Sequence, residues 1–432
     1  MENKKTLDAQ IHSVQRKRPN GFIYSVLRTF VAKPFMANKF SPTCNFKTDF
    51  RNDKGPYFLI SNHASRIDFA FNAMQLKNRC NFVVGYNEFF RSHLQMVMKI
   101  TGSIPKKNFV SDYYAMKQMA SIIKQGGSIA IWPEGMNSIG GMSQPIVPGT
   151  GKFLKHFGIP VYYSVIKGGY LAMPKFNQTD RIGPIEVDLD IMFTPDQLKE
   201  LSPEEIEDII NEKMFHDDYR WNLEKKNHYK AKDGKIAEGM ETVLYRCPKC
   251  GSDKHMRTEL DKIWCDNCGN GATILDTYEM VPLNDECVLP ETESKWFNDE
   301  REIIKEEIKN DPNYSLTIHV KLGNLPKYEF LKDYKTSLIV GEGDLTISRD
   351  GLTYNGTRDN EPFMFHLSTD EVPTYGMCTD VSRFYTFYNG EFMEFYPEEN
   401  VTMKFFMATE ELHRVNGGKW QDFKFDKNIH NN

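Results

Sequence analysis

Between residues 58 and 187, short apolar runs alternate with stretches in which apolar residues recur at helical spacing. This alternation is typical of an α/β domain, in which a largely parallel sheet is flanked by helices. We assign this fold class to residues 41–205. The predicted strands are 58–61, 81–85, 128–132, 161–166 and 182–189, and the clearest helix between them is 112–125.

After this domain the pattern changes to two helical linkers, predicted at 206–240 and 281–312. The first begins after Ser202-Pro203-Glu204-Glu205, a typical N-terminal helix signal. We expect its polar and aromatic side chains His216, His228 and Tyr229 to be solvated. The second holds ten acidic and four basic residues between 285 and 311, so we expect a solvated helix that ends before Pro312. The apolar sides of the two helices are Ile206, Ile209, Ile210 and Met214 in the first and Trp296, Phe297, Ile303, Ile304 and Ile308 in the second.

From residue 314 onward β patterns dominate, which predicts a β-rich C-terminal domain at 313–432. Asp350-Gly351 and Asn389-Gly390 are typical tight hairpin turns. The element order, about seven strands and then a helix at 408–415, resembles a PH-like barrel. Such a module binds partners or lipid more often than it performs chemistry, and a role in stability or dimerisation stays open. The predicted strands are 315–322, 337–341, 344–348, 352–355, 363–367, 383–388, 392–396 and 402–406.

The N-terminal segment, residues 1–40, differs in charge from the whole chain. Residues 1–39 hold eight Lys or Arg and two acidic residues, whereas the net charge of the chain is −5. Apolar residues from Ile23 to Val31 recur at helical spacing, and Pro34 is expected to close the segment. A short basic amphipathic helix of this kind lies on an anionic membrane surface or packs on a domain core. Both interpretations are open.

Size and charge restrict the class of protein. A chain of 432 residues is long enough for two or three domains with cores of their own. The acidic net charge argues against a general nucleic-acid binder, so no nucleic acid is expected as a partner. We find neither an uncharged apolar run of about 18 residues nor a secretory signal, and we expect a cytoplasmic protein, peripheral on the cytoplasmic membrane face.

Two cysteine pairs carry the clearest metal-binding signal. The first pair is Cys247 and Cys250, the second is Cys265 and Cys268, and a glycine follows each pair. The segment between the two pairs is expected to form a hairpin. Four thiolates suit tetrahedral Zn²⁺ in a closed structural site, so residues 241–280 resemble a zinc ribbon. Iron in the same cage and a redox dithiol are alternatives. The remaining cysteines are expected to be ordinary thiols: Cys44, Cys80, Cys287 and Cys378.

A histidine and an aspartate, His63 and Asp68, lie five residues apart at the junction between the first predicted strand and the next helix. A carboxylate bonded to one ring nitrogen fixes the tautomer, which leaves the other nitrogen to remove a proton from a hydroxyl. We therefore predict a general base, His63, with Asp68 as the residue that orients it.

The surroundings of this pair resemble the motifs of the glycerolipid acyltransferases, the family that includes 1-acylglycerol-3-phosphate acyltransferase. The first motif matches at Asn62, His63, Ser65 and Asp68. The other three resemble 102–107, 132–138 and 158–161, in the same order as in the family. The resemblance implies acyl transfer from acyl-CoA or acyl carrier protein to a lysophospholipid or glycerol phosphate. It also implies the substrate-binding candidates Asn62, Ser65, Lys106, Lys107, Glu134, Gly135 and Ser138, and Lys152 is a further candidate for phosphate.

Two positions depart from the family pattern. The third motif has Asn137 where an arginine that helps to hold an acceptor phosphate is expected, and the second motif ends in Lys106-Lys107 instead of arginine. Lysine holds phosphate as a point charge but lacks the bidentate fork of a guanidinium. The alternative to an enzyme is therefore a catalytically inactive scaffold of the same fold that binds lipid or protein partners.

Overall fold

The computed structural model describes residues 5–333, 335–377 and 380–420, so Cys378 and the last twelve residues of the predicted C-terminal domain lie outside the described part. The N-terminal helices are α1 (Leu7–Ser13), α2 (Gly21–Leu27) and α3 (Lys33–Phe40), with a π-helical turn at Arg28–Ala32 between the last two. The expectation that Pro34 closes the segment is wrong. Pro34 lies in the first turn of α3, directly after the π turn, and the helix continues beyond it to Phe40.

The α/β domain is built on one seven-stranded sheet of order β1-β7-β6-β2-β5-β3-β4. All neighbouring strands are parallel except β6 and β7, which confirms the largely parallel sheet. Two strands, β1 and β4, were not predicted, and the expected strand at 182–189 starts four residues later. The strands are β1 (Thr43–Phe46), β2 (Phe58–Ser61), β3 (Cys80–Gly85), β4 (Ile104–Lys106), β5 (Ser128–Ile131), β6 (Val161–Lys167) and β7 (Glu186–Phe193).

Helices cover the faces of this sheet. The predicted helix at 112–125 is confirmed as α6, where the Asp112 carboxylate caps the Ala115 N–H at 2.9 Å. Its apolar side packs in one buried cluster with strand residues such as Phe58 and Ile129. The helices are α4 (Asp68–Gln75), α5 (Gln95–Ile100), α6 (Tyr113–Lys124), α7 (Thr150–Phe157) and α8 (Gly169–Ala172), with 3₁₀ turns at Tyr86–Phe90 and Ser92–Leu94.

The first predicted linker packs on the α/β domain. Helix α9 (Pro195–Glu200) precedes this linker, α10 (Pro203–Met214) begins just before it, and α11 (Asp218–Lys225) lies within it. Ser202 and Glu205 form the expected capping box. The expectation that its polar and aromatic residues are solvated is wrong for two of the three. His216 Nε2 lies 2.8 Å from Asp218 Oδ1, and the fully buried Tyr229 donates its hydroxyl to the Pro184 carbonyl. His228 is exposed, as expected.

The cysteine module, residues 241–280, contains a four-stranded antiparallel sheet of order β11-β10-β9-β8. The expected hairpin between the cysteine pairs is confirmed by the pairing of β8 with β9. The strands are β8 (Met256–Glu259), β9 (Lys262–Cys265), β10 (Gly271–Ile274) and β11 (Met280–Pro282). Short 3₁₀ turns at Lys232–Gly234 and Met240–Thr242 precede β8.

Helix α12 (Glu293–Asn310) is the acidic helix expected to be solvated, and this expectation is wrong for one side of it. Trp296 and Ile304 are buried, and so is the carboxylate of Glu300. Arg301 of the same helix lies 2.6 Å from the fully buried Glu410. Buried charges of this kind are found where each has a partner.

The C-terminal β domain is one seven-stranded sheet of order β15-β14-β13-β12-β18-β17-β16 followed by a helix, which confirms a β-rich domain. The expected strands 337–341 and 344–348 are one continuous strand, and the expected strand 402–406 is the start of helix α13. The PH-like assignment stays a prediction. The elements are β12 (Ser315–Asn324), β13 (Leu338–Ser348), β14 (Gly351–Arg358), β15 (Glu361–Leu367), β16 (Gly376–Met377), β17 (Phe384–Tyr388), β18 (Glu391–Pro397) and α13 (Thr402–Val415).

The three parts share buried cores. One cluster of buried side chains runs through the α/β domain, the cysteine module and the β domain. A second joins α1 to the β domain, with Leu7 and Ile11 packed among Tyr86, Phe387 and Leu331. In the described ranges of the chain, none of the helices combines the length and the apolar character needed to cross a bilayer.

Candidate active site and metal centre

The parallel strands β2 and β5 are neighbours, so the segments that follow them meet at one edge of the sheet. His63 lies two residues after β2, and Glu134 lies three residues after β5. Such edges are where open α/β sheets place their sites. The structure therefore brings the first and third motifs together although 71 positions separate His63 from Glu134.

His63 and Asp68 form the pair that the sequence predicted. His63 Nδ1 lies 2.9 Å from Asp68 Oδ2, and the aspartate is buried as the first residue of α4. The His63 side chain is 25% exposed, and no residue within the described ranges bonds its Nε2. A carboxylate on Nδ1 holds the proton there, so Nε2 has a free lone pair on the exposed side of the ring.

Hydrogen bonds of Ser65 and Asn62 hold the loop that carries this pair. The backbone N–H of Ser65 donates to Asp68 at 3.0 Å, and the Ser65 hydroxyl donates to the same carboxylate at 2.6 Å. The Asn62 side chain pairs with strand β6, since its Nδ2 donates to the Ile166 carbonyl and its Oδ1 accepts the Ile166 N–H. Both side chains are buried. Their observed contacts hold the loop, and a contact with substrate stays a prediction.

Glu134 is 1% exposed, and both of its oxygens accept backbone N–H groups. Oε1 accepts from His63 at 2.9 Å and Oε2 accepts from Gln144 at 3.0 Å. Burial raises the pKa of Glu134 to about 8, opposed by the two N–H donors. These contacts hold the His63 loop, and a contact of Glu134 with an acceptor stays a prediction.

Gly135 and Ser138, in the same motif, also make contacts inside the protein. Gly135 has φ +81°, and a Cβ there would lie 2.7 Å from the Phe109 ring, so glycine is required by a neighbouring side chain. The Ser138 N–H donates to the His63 carbonyl at 2.7 Å, and its hydroxyl donates to Met142 O. The third motif thus holds the His63 loop at both its N–H and its C=O.

The two lysines of the second motif are half-buried, and each ammonium bonds a backbone carbonyl. Burial lowers the pKa of Lys106, whose ammonium donates to the Lys107 carbonyl at 3.0 Å. The Lys107 ammonium donates to the Gly390 carbonyl in the β17–β18 turn at 2.6 Å and lies 5.0 Å from the centre of the Tyr86 ring. A role of either lysine in phosphate binding stays a prediction.

Lys152 lies exposed in the first turn of α7. That turn is anchored to α10, because the N–H groups of Gly149 and Gly151 both donate to Glu207 Oε1. Nothing in these contacts connects Lys152 with the His63 loop, and its role in phosphate binding is also untested.

Sequence reasoning missed Lys175. It lies in the segment between α8 and β7, outside all four motifs, and only 2% of it is exposed. Its ammonium donates to Asn137 Oδ1 at 2.6 Å, at the position where the family pattern has arginine. A lone lysine after an irregular segment carries no sequence signal, so only the fold reveals it.

The four expected metal ligands form one cluster. The sulfur atoms of Cys247, Cys250, Cys265 and Cys268 all lie within 4.8 Å of one another. The Cys247–Cys268 and Cys250–Cys265 distances are 3.6 and 3.7 Å, close to the roughly 3.8 Å edge of a tetrahedron with metal–sulfur bonds of about 2.3 Å. The four cysteines can therefore hold a metal ion.

The two cysteine loops are built alike. In each, the glycine after the second cysteine has a positive φ, +73° at Gly251 and +72° at Gly269, and its N–H donates to the carbonyl of the first cysteine at 2.9 Å. Glycine adopts this conformation without steric cost. Cys287 lies apart from the four ligands and accepts the Gly271 N–H at 3.4 Å.

Comparisons with known proteins complete the description. A search of curated proteins gives no match. Among solved structures, the chain is similar to the 1-acyl-sn-glycerophosphate (LPA) acyltransferase PlsC from Thermotoga maritima, with 18% identity over 48% of this chain and 83% of that chain and a TM-score of 0.35. Residues 42–167 match the family model Acyltransferase. That match contains His63, Asp68 and all four motifs, and it supports an acyltransferase domain at residues 42–167.

Proposed function

We propose that the protein is an O-acyltransferase that moves a fatty acyl group from a thioester donor, acyl-CoA or acyl carrier protein, to a hydroxyl of a lysophospholipid or glycerol phosphate. The observation that carries the proposal is the 2.9 Å contact of His63 Nδ1 with buried Asp68, inside the segment that matches the acyltransferase family.

In the proposed reaction, His63 Nε2 removes the proton from the acceptor hydroxyl. The oxygen then attacks the thioester carbonyl, and the thiolate leaves after the tetrahedral intermediate collapses. Asp68 keeps the ring oriented and stabilises the imidazolium that forms. Glu134 and Ser138 hold the backbone of His63, so the ring needs little rearrangement when the hydroxyl arrives.

The same proposal includes a lipid surface as partner, on the cytoplasmic membrane face. The N-terminal helices and α4 leave a set of apolar side chains exposed. The π turn and α3 pack on α4, which begins with Asp68. Lys33 is exposed among them, which favours an anionic surface. We call these side chains the N-terminal apolar surface: Phe22 (79% exposed), Phe30 (74%), Val31 (57%), Phe35 (52%) and Phe69 (46%).

We further propose that the metal of the four cysteines is Zn²⁺ in a structural role. A set of four thiolates at tetrahedral spacing is what Zn²⁺ binds in closed sites, and such a site leaves no position for a substrate. The cysteine module is joined to the α/β domain by Tyr278, whose hydroxyl donates to the Leu171 carbonyl at 2.7 Å. The metal would therefore stabilise a module against which the active domain packs.

The test of the function is thioester consumption with a panel of lysophospholipids and glycerol 3-phosphate. We expect carrier thiol to be released only when an acceptor is present, and His63→Ala to lower the rate about 10²–10⁴-fold while the protein stays folded. His156→Ala, an exposed histidine on α7, is the matched control. Turnover that is unchanged in His63→Ala would refute the mechanism. Lipid binding without turnover on every acceptor would favour the inactive scaffold.

A further inference from the structure

Asn108 and Phe109, in the loop between β4 and α6, both contact the glycine of the third motif. Asn108 Nδ2 donates to the Gly135 carbonyl at 2.8 Å. The Phe109 ring lies so close to Gly135 that a Cβ there would be 2.7 Å from it. Gly135 directly follows Glu134, whose carboxylate accepts the His63 N–H at 2.9 Å. The loop therefore packs against the turn that holds the proposed base.

The backbone of this loop adopts a conformation that its sequence does not favour. Phe109 has φ +60°, in the left-handed region that bulky side chains seldom adopt. Such a conformation persists where surrounding contacts hold it, and it is frequent at functional sites. Next to Phe109, the Lys107 N–H donates to Asp112 Oδ2 at 2.8 Å, and the Lys107 ammonium donates to the Gly390 carbonyl at 2.6 Å. Bonds from the α/β domain and from the β domain thus hold the loop.

The β domain also contacts the loop through an aromatic pair. The rings of Trp420 and Phe109 meet edge to face, with their centres 5.3 Å apart and their planes at 76°. Trp420 is 2% exposed, and its backbone N–H donates to His413 Nε2 of α13 at 3.1 Å. Edge-to-face contacts at this distance are favourable and depend on the orientation of both rings. The Phe109 ring therefore connects Trp420 of the β domain with Gly135 of the third motif.

We propose that Trp420 is a positioning residue for the acyl transfer, although it lies outside residues 42–167, which match the family model. By packing on Phe109 it keeps Gly135, and with it Glu134, in the place where the Glu134 carboxylate holds the proposed base. The inference rests on the proposed function and adds to it a role for the β domain, which completes the active site. Because Trp420 acts through other residues, its loss should lower kcat and leave KM nearly unchanged.

The first experiment measures kcat and KM in the thioester-consumption assay, with lysophosphatidate as the acceptor. For Trp420→Ala we expect kcat to fall about 3- to 10-fold, the size of one aromatic contact, and KM to stay within about twofold. Trp420→Phe should retain most of the rate, because a phenyl ring can make the same edge-to-face contact. Phe363→Ala is the control, since it removes another aromatic ring of the β domain, one that packs on Tyr354 from β15. An equal fall in kcat for Phe363→Ala would overturn the inference.

A double-variant cycle shows whether Trp420 acts through Phe109. Phe109→Ala/Trp420→Ala should have the kcat of Phe109→Ala alone, because the loss of Trp420 removes nothing further once the Phe109 ring is gone. Losses that multiply in the double variant would overturn the inference, since the two rings would then act independently. Trp420→Leu covers the case in which Trp420→Ala does not fold, because it keeps an apolar side chain without the aromatic contact. It should lower kcat by a similar factor.

A spectroscopic measurement separates the inference from the proposed function. In protein with isotope-labelled histidine, the ring resonance of His63 is identified by its absence from the spectrum of His63→Ala. It should shift in Trp420→Ala and stay in place in Phe363→Ala, because only the first change reaches the His63 loop. This shift in a protein that turns over no acceptor would support the inference and refute the enzyme. Turnover of lysophosphatidate with a kcat that is unchanged in Trp420→Ala would support the enzyme and refute the inference.

Discussion

The carboxylate of Glu134 accepts the backbone N–H of His63 at 2.9 Å, across 71 positions of the chain. Its other oxygen accepts the N–H of Gln144 at 3.0 Å. Two loops that leave neighbouring strands are thereby joined through one buried side chain. The proposed base owes its position to this third-motif glutamate as well as to the aspartate of its own motif.

Replacement of Glu134 by glutamine should change how stability depends on pH. Burial raises the pKa of Glu134 from 4.5 to about 8, so between these values the folded protein carries a proton that the unfolded chain lacks. This contribution to stability is complete below about pH 4.5 and is lost as the pH rises through about 8, with a slope of at most about 1.4 kcal/mol per pH unit. Urea unfolding between pH 5 and 8 should show a steeper decline for the wild type than for Glu134→Gln. Equal slopes would contradict the assignment.

Asp68→Asn should lower the turnover rate about 10²–10⁴-fold, because the amide cannot stabilise the imidazolium as a carboxylate does. Ser65→Ala is the comparison, since it removes one hydroxyl from the same carboxylate and leaves the contact with His63. We expect a loss of about tenfold or less there, the size of one hydrogen bond. Steady-state rates measure the loss in each variant, and circular dichroism checks that both variants are folded. Similar losses in both variants would indicate a structural role for Asp68.

Purified protein should contain one equivalent of zinc per chain, and Cys250→Ser or Cys268→Ser should lose the metal together with stability. Metal binding in small modules of this kind contributes roughly 10–16 kcal/mol of apparent free energy. Cys287→Ser is the matched control, because Cys287 accepts a backbone N–H outside the cluster. Metal analysis and thermal unfolding test both variants. Native protein without metal would refute the zinc site.

Replacement of Phe22, Phe30 and Phe35 by serine should weaken binding to vesicles that contain phosphatidylglycerol, because these side chains supply much of the N-terminal apolar surface. Met364→Ser is the control, since Met364 is 68% exposed on β15 in the C-terminal domain. Co-sedimentation at two salt concentrations gives the affinity. Equal binding by wild type and the triple variant would exclude this surface as the membrane contact.

The sequence was sufficient for the local features of the site. His63 and Asp68 lie within one strand-to-helix junction, so their spacing in the sequence is enough to predict that the two side chains are in contact. The four cysteines were recognised for the same reason, since each pair folds within one short loop. The largely parallel sheet also followed from the alternation of apolar runs with helical spacing.

Contacts between distant segments could not be predicted in this way. The motif of Glu134 indicates a contact with substrate, but nothing in it shows that two backbone N–H groups from other loops bond its oxygens. The sequence predicts a solvated helix around Glu300 and Arg301 because their partners lie far along the chain, Glu410 and Glu411 for the arginine. The β patterns predict a strand at 402–406, whereas this segment is the buried start of helix α13.

The tip of the β17–β18 hairpin receives the ammonium of Lys107 on the Gly390 carbonyl, and Asn108 Nδ2 lies 3.3 Å from the Tyr385 hydroxyl. A fragment that ended with the α/β domain would expose Lys107, Asn108 and the aromatic rings around them to water. The smallest piece worth producing for crystallisation or assay therefore extends past residue 390. A ligand that binds the Lys107 ammonium must therefore compete with the Gly390 carbonyl of that hairpin.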